Sequence, residues 1–179
     1  TNIWYVLLRI AFDPEKGSFG AVDTIYKAAE IGKSVSFPRV SPDGKQVMFC
    51  LSDYGNFSIW HPESDLFLLD LETREITKPN INSDQTESYH TWSSSGRWLV
   101  FSSRRLDGLY TRPYFSHIDS KGIFSKPFIL PQEDPLFYDR FLKSYNIPEL
   151  VKSKVELDPR MISEELNKKP IKVKFSSKF

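Results

Sequence analysis

The chain has 179 residues, 40% of them hydrophobic and 15% aromatic, enough to bury a core and too apolar for wholesale disorder. Its formal net charge of +1 excludes a global electrostatic pull toward nucleic acid or an anionic membrane, so a partner has to be recognised locally. The single cysteine, Cys50, excludes an internal disulfide and a paired-cysteine metal site, and reads as a small buried hydrophobe.

The longest apolar run, "IWYVLL" at 3–8, falls far short of the roughly 18 residues a membrane-spanning helix requires, and predicts a buried strand. No basic-then-apolar leader precedes it and residue 1 is threonine, so an exported form is expected to have lost its signal already. The stretch "NIWYVLLRIAFDPEKGSFGAVDTI" matches the third and fourth strands of a four-stranded unit, with Trp4 at the place of Phe67 and "DPEKG" as the turn.

The unit itself is read from a repeat with a period near 50. "SFPRVSPDGKQVMFCLSD" aligns with "SYHTWSSSGRWLVFSSRR", which places Val40 on Trp92, Gly44 on Gly96, Val47 on Leu99 and Phe49 on Phe101. In "SPDG" the proline presets φ at the second turn position and glycine takes the fourth, so both copies read as hairpins. After each hairpin comes a polar and aromatic connection, "SDYGNFSIWHPES" or "SRRLDGLYTRP". A third strand follows, "DLFLLDLET" or "YFSHIDSKG", and then a short fourth, "EITKP" or "SKPFIL". Four strands per unit with little room for helix predicts an all-β fold, a partial β-propeller of four-stranded antiparallel blades. About two and a half blades are expected: outer strands of an incomplete blade over 1–34, complete blades over 35–81 and 87–131, and a tail over 132–179. In the tail, short helices are expected at 135–143 and from the Asp158 cap and Pro159 onward, and "IKVKF" at 171–175 alternates like an edge strand.

These residues resemble the TolB-like, WD-like β-propeller family, whose blades open with an "SPDGK" hairpin and close on a strand of the "DLFLLDLET" kind; the likeness covers residues 1–131. "HTWSSSGRWLVFSSRRLDGLYTRPYF" running into "YNIPEL" resembles the C-terminal end of exported bacterial propeller proteins of unassigned function. The resemblance implies a six-bladed ring in the periplasm or cell envelope that binds rather than catalyses, with an envelope protein, peptide or glycan as partner and no cofactor. Two and a half blades do not close a ring, so the rest of a larger propeller or another copy is expected to cover the open edges.

No G-x-S-x-G elbow occurs, which places any prolyl-oligopeptidase-type hydrolysis outside this segment and leaves, at most, the propeller portion of a larger peptidase. The alternative enzyme is a propeller-type polysaccharide lyase with a histidine-held metal, but His61, His90 and His117 are expected at different radial positions, and the blade position matching His90 is Pro38. His90 with Trp92 is expected to start the strand lining the channel, where a ligand meets a polar tip and an aromatic edge; otherwise its imidazole satisfies a backbone carbonyl. Arg104, Arg105, Tyr110 and Arg112 carry the residue types of an interface loop, unless Asp107 pairs with an arginine and braces it. Tyr54, Phe57 and Trp60 form either a stacking platform for sugar or a filler between blades. From residue 151 onward the tail carries eight Lys or Arg against four Asp or Glu, which reads as a solvated face and not a nucleic-acid site.

Overall fold

A computed structural model of the chain describes residues 3–172. Strands β1 (Leu7–Asp13) and β2 (Ser18–Tyr26) form a two-stranded antiparallel sheet. Strands β3 (Ser34–Val40), β4 (Gln46–Ser52), β5 (Asp65–Asp70) and β6 (Ile76–Thr77) form the second sheet, each beside its neighbour in the chain. The third repeats that order with β7 (Glu87–Trp92), β8 (Trp98–Ser103), β9 (Arg112–His117) and β10 (Phe128–Ile129). Four-stranded antiparallel meanders stacked face to face are propeller blades, so the chain is a partial propeller of two blades and a half. Its α-helices, α1 (Phe137–Arg140) and α2 (Pro159–Leu166), stand in the tail.

The repeated corners are built from the same bonds. Gly44 N donates to Ser41 O at 2.9 Å and Ser41 N to Gln46 O at 2.8 Å; Gly96 N donates to Ser93 O at 2.9 Å and Ser93 N to Trp98 O at 2.8 Å. Both glycines have positive φ, 74° and 69°, which a side chain would strain. The proline of the first copy is dispensable because the serine hydroxyl supplies the lock: Ser41 Oγ accepts from Gln46 N, and Ser93 Oγ from Trp98 N, each at 3.0 Å.

Alternation along β4 and β5 decides the core. Met48, Cys50, Leu66 and Leu68 point to one face of the middle blade and pack with Leu99, Phe101 and Tyr114 of the next. Val47, Phe49, Leu51 and Leu69 point to the other and pack with Leu7, Ile25 and Ala28 of the half-blade. The middle blade is thus buried on both sides, which is why β4 reads as a nearly unbroken apolar run.

Residues 3–8 depart from the expected buried strand. The ladder begins only at Leu7, the one buried residue of the run; 3–6 form a strap whose backbone serves the middle blade. Tyr5 N donates to Ser34 Oγ at 2.8 Å, Val35 N to Tyr5 O at 3.2 Å and Gly55 N to Ile3 O at 2.8 Å. A Cβ on Gly55 would lie 2.7 Å from that Ile3 oxygen, so glycine is required there. Trp4 therefore does not occupy the place of Phe67. The turns set the true register: Asp13 Oδ1 accepts from Glu15 N and Lys16 N as Asp70 Oδ1 does from Glu72 N and Thr73 N, which puts Ile10 on Phe67 and Phe12 on Leu69.

In the tail, α2 starts as expected, with Asp158 accepting from Arg160 N at 2.9 Å and Pro159 in the first turn. Helix α1 is one turn, shorter than 135–143, because the chain leaves it at Phe141 to run extended over the last blade. There Tyr145 N donates to Thr111 O at 3.0 Å, Thr111 Oγ1 to Tyr145 O at 2.7 Å and Ser102 Oγ to Asn146 O at 3.3 Å. Of the expected edge strand, Ile171 and Lys172 are in no strand and 173–175 lie outside the described residues. Among the described residues no helix is long and apolar enough to cross a membrane.

Candidate functional site

Each complete blade carries a bulge in its innermost strand, between Ser36 and Arg39 and between Ser88 and Thr91. The aromatic inside each bulge takes a left-handed conformation, φ 51° at Phe37 and 49° at Tyr89. Such a backbone costs about 1–3 kcal/mol in a side-chain-bearing residue, and here it occurs twice at equivalent positions. The bulge turns both rings toward each other, 4.9 Å apart and edge to face. Beside Tyr89 opens a cavity of about 360 Å³ lined by Trp60, Tyr89, Arg104, Leu109, Tyr145 and Asn146 among others. A second of similar volume flanks Phe37, walled by Tyr5, Pro38 and Phe57.

Arg104 and Trp60 give the first cavity its chemistry. The guanidinium carbon sits 4.3 Å from the centre of the indole, and Arg104 Nε donates to Leu109 O at 3.0 Å. The cation thereby lies over the ring of Trp60, a residue 65% exposed, a pairing suited to a carboxylate beside a flat apolar group.

The remaining arginines of the loop turn inward. Arg105 donates to Glu87 Oε1 at 2.8 Å, to Ser103 Oγ at 3.0 Å and to Ile81 O, with its cation over Phe101 and Tyr114. Arg112 is fully buried: it donates to Phe141 O at 2.7 Å and to Lys143 O, and lies 5.0, 5.4 and 5.5 Å from the rings of Tyr110, Tyr138 and Phe141. Neither side chain faces a ligand; one braces the last blade and the other clamps the tail. Asp107 is the brace of the loop, its Oδ1 accepting from Leu109 N and Tyr110 N at 2.8 Å and its Oδ2 standing 3.7 Å from Arg112.

His90 is likewise withdrawn. The residue is 1% exposed and Nε2 donates to Met48 O of the middle blade at 2.8 Å, so it joins two blades instead of lining a channel. Only the Nε2 proton satisfies a carbonyl, which leaves Nδ1 as the unprotonated nitrogen, 4.0 Å from Cys50 Sγ. Burial, reinforced by the Arg39 charge, pushes the imidazole down to about 4 against the pull of Met48 O, and burial pushes the Cys50 thiol up to about 12. A histidine held neutral stabilises the fold fully above its ordinary value near 6.5, and that contribution is lost as pH falls toward 4. The expected loss over this window is about 3 kcal/mol, absent from a His90→Gln variant whose amide keeps the bond to Met48 O; urea unfolding at pH 7 and pH 4.5 measures it.

Trp92 also bridges blades, donating to Arg39 O at 3.2 Å with Phe124 beside its ring. Tyr54 stacks on His61 at 6.1 Å while Trp60 sits with Arg104, so these aromatics do not make one platform. His61 bonds Glu63 and Asn56 O, and His117 packs on Trp98; among the described residues no cluster of His, Cys, Asp or Glu is arranged to hold a metal. The site residues missed in sequence are Phe37, Tyr89 and the tail's Tyr145 and Asn146. The signal for the first two was present, since "SFPRV" and "SYHTW" place an aromatic directly after the serine in both copies.

No protein family matches the chain, and no curated protein does. Among solved structures, one described as "Structure of Dos1 propeller" is similar, at 19% identity and a TM-score of 0.48 over 71% of this chain and 32% of that one. The chain spans about a third of the length of that propeller.

Proposed function

We propose that the chain is a non-catalytic binding scaffold, part of a larger six-bladed TolB-like propeller of the bacterial cell envelope, and that it takes its partner at the blade mouth beside Tyr89. The observation that carries this reading is Arg104 held over the exposed face of Trp60 at the rim of a 360 Å³ cavity. The doubled hairpin supports the family reading, and the loops gathered at the mouth suit recognition. The ligand feature that fits is a carboxylate next to a flat apolar group, as an envelope protein or peptide offers through an acidic residue beside an aromatic one, and a glycan through a uronate ring. Titration of tryptophan emission with acidic-aromatic peptides and, separately, uronate oligosaccharides tests it. Saturable quenching by one class is expected, weakened about tenfold or more in Arg104→Ala and in Trp60→Ala. Affinity unchanged in both variants, or no saturable response to either class, would count against this mouth.

A further inference from the structure

We infer that the partner at the mouth beside Tyr89 is a polypeptide, and that it enters with a carboxylate flanked by an aliphatic side chain and a flat one. The inference rests on that mouth being the binding site and names which ligand class it selects. The patch is built by loops of the two complete blades, 53–64 of the middle blade and 104–111 of the last, and so lies on neither end face of the stack. Trp60, Leu106 and Leu109 stand out of these loops 65%, 50% and 64% exposed. Trp60 lies under the Arg104 cation, and Leu109 lines the same cavity. Arg104 Nε and Nη2 both donate to Leu109 O, while Nη1 has no partner among the described residues and is left for a carboxylate.

The loop that carries the leucines is ordered before any partner arrives. Gly108 N donates to Arg104 O at 2.7 Å, Arg104 N donates to Thr86 O at 3.3 Å, and Asp107 Oδ1 accepts from Leu109 N and Tyr110 N at 2.8 Å. A loop held by this many internal bonds loses little freedom when a partner closes on it. Its exposed leucines are thus presented ready for contact, beside tryptophan and arginine, the residue types that carry most of the energy in protein interfaces.

The polar groups decide against a glycan. A sugar ring turns several hydroxyls toward its site, and each that loses water without gaining a partner costs about 1–3 kcal/mol. No Asp or Glu is among the residues lining the cavity. Asp107, the carboxylate of the loop, has Oδ1 taken by two backbone amides and Oδ2 3.7 Å from Arg112. Thr111 Oγ1 donates to Tyr145 O at 2.7 Å, and Ser144 Oγ accepts from Thr111 N at 3.2 Å. A uronate would meet Arg104 with its carboxylate and press its remaining hydroxyls toward Leu109. An acidic side chain between apolar ones brings charge and apolar area together, and Asn146 at the wall offers a donor beside an acceptor, the complement of a peptide group.

An array of short peptides with a central Asp or Glu between an aliphatic and an aromatic residue tests this, read by tryptophan emission beside uronate oligosaccharides. The best peptide is expected to bind at least about tenfold more tightly than any uronate, and to lose at least about tenfold when its acid is replaced by the amide. Leu106→Ser with Leu109→Ser is expected to weaken the peptide at least about tenfold and to leave any uronate response unchanged. Both leucine side chains are exposed, and Leu109 is bonded through its backbone alone, so the changes spare the fold. A uronate that binds more tightly than every peptide, or a peptide sensitive to Arg104→Ala yet indifferent to the leucine pair, would overturn the polypeptide assignment and leave the mouth standing. No saturable response to either class would overturn both.

Discussion

Glu87→Ala is expected to cost about 3–5 kcal/mol, a large share of the 5–15 kcal/mol that typically holds a domain of this kind together. Glu87 opens the inner strand of the last blade with no exposure to solvent. Its carboxylate accepts from Ser83 Oγ at 2.6 Å, Ser83 N at 3.0 Å, Ser103 Oγ at 2.8 Å and Arg105 at 2.8 Å, tying the linker into the blade, strand β8 and the loop beyond it. Alanine leaves the Arg105 guanidinium, only 16% exposed, without its counter-charge against Phe101 and Tyr114. Desolvation of that unpaired cation, more than the lost bonds, is the main cost. Replacing both partners by methionine should therefore recover much of the loss. Urea unfolding checks this as a lowered midpoint at unchanged slope; a shift worth under about 1 kcal/mol for Glu87→Ala would show that Glu87 is not the keystone of this blade.

Arg112→Leu is expected to release the tail while the blades stay folded. Arg112 holds two tail carbonyls, Phe141 O and Lys143 O, and three aromatic faces, and charge-assisted bonds of this kind contribute roughly 1.5–3 kcal/mol each. Leucine keeps the packing volume in part but offers the carbonyls nothing, so they regain water only if residues 141–149 lift away. The amide of Tyr145, bonded to Thr111 O, should then exchange at least tenfold faster, while amides of β4 keep their protection. Arg112→Lys should fail to rescue, because one ammonium does not span two carbonyls or lie flat between rings. Protection at Tyr145 unchanged in both variants would sink the clamp.

The distribution of what was legible follows from where the information lies. The hairpins, the four-strand unit, the half-blade and the Asp158 cap were readable because each depends on neighbours a few residues apart: glycine at positive φ, serine locking its own turn, alternation along one strand. The aromatic after the serine in both copies was equally visible, but its left-handed backbone was not, since nothing local forces Phe37 or Tyr89 there.

What the amino-acid order determined by itself was thus the class of the fold, its repeat and the identity of the corners. Tertiary structure alone decided which of Arg104, Arg105 and Arg112 faces outward, that His90 is a bond between blades, and that residues 3–6 are a strap and not a strand. The physical reason is that the fate of a polar side chain is settled by partners distant in sequence. Glu87 draws Arg105 in from 18 residues away, the tail's carbonyls draw in Arg112 from 29, and Met48 O takes His90 from 42.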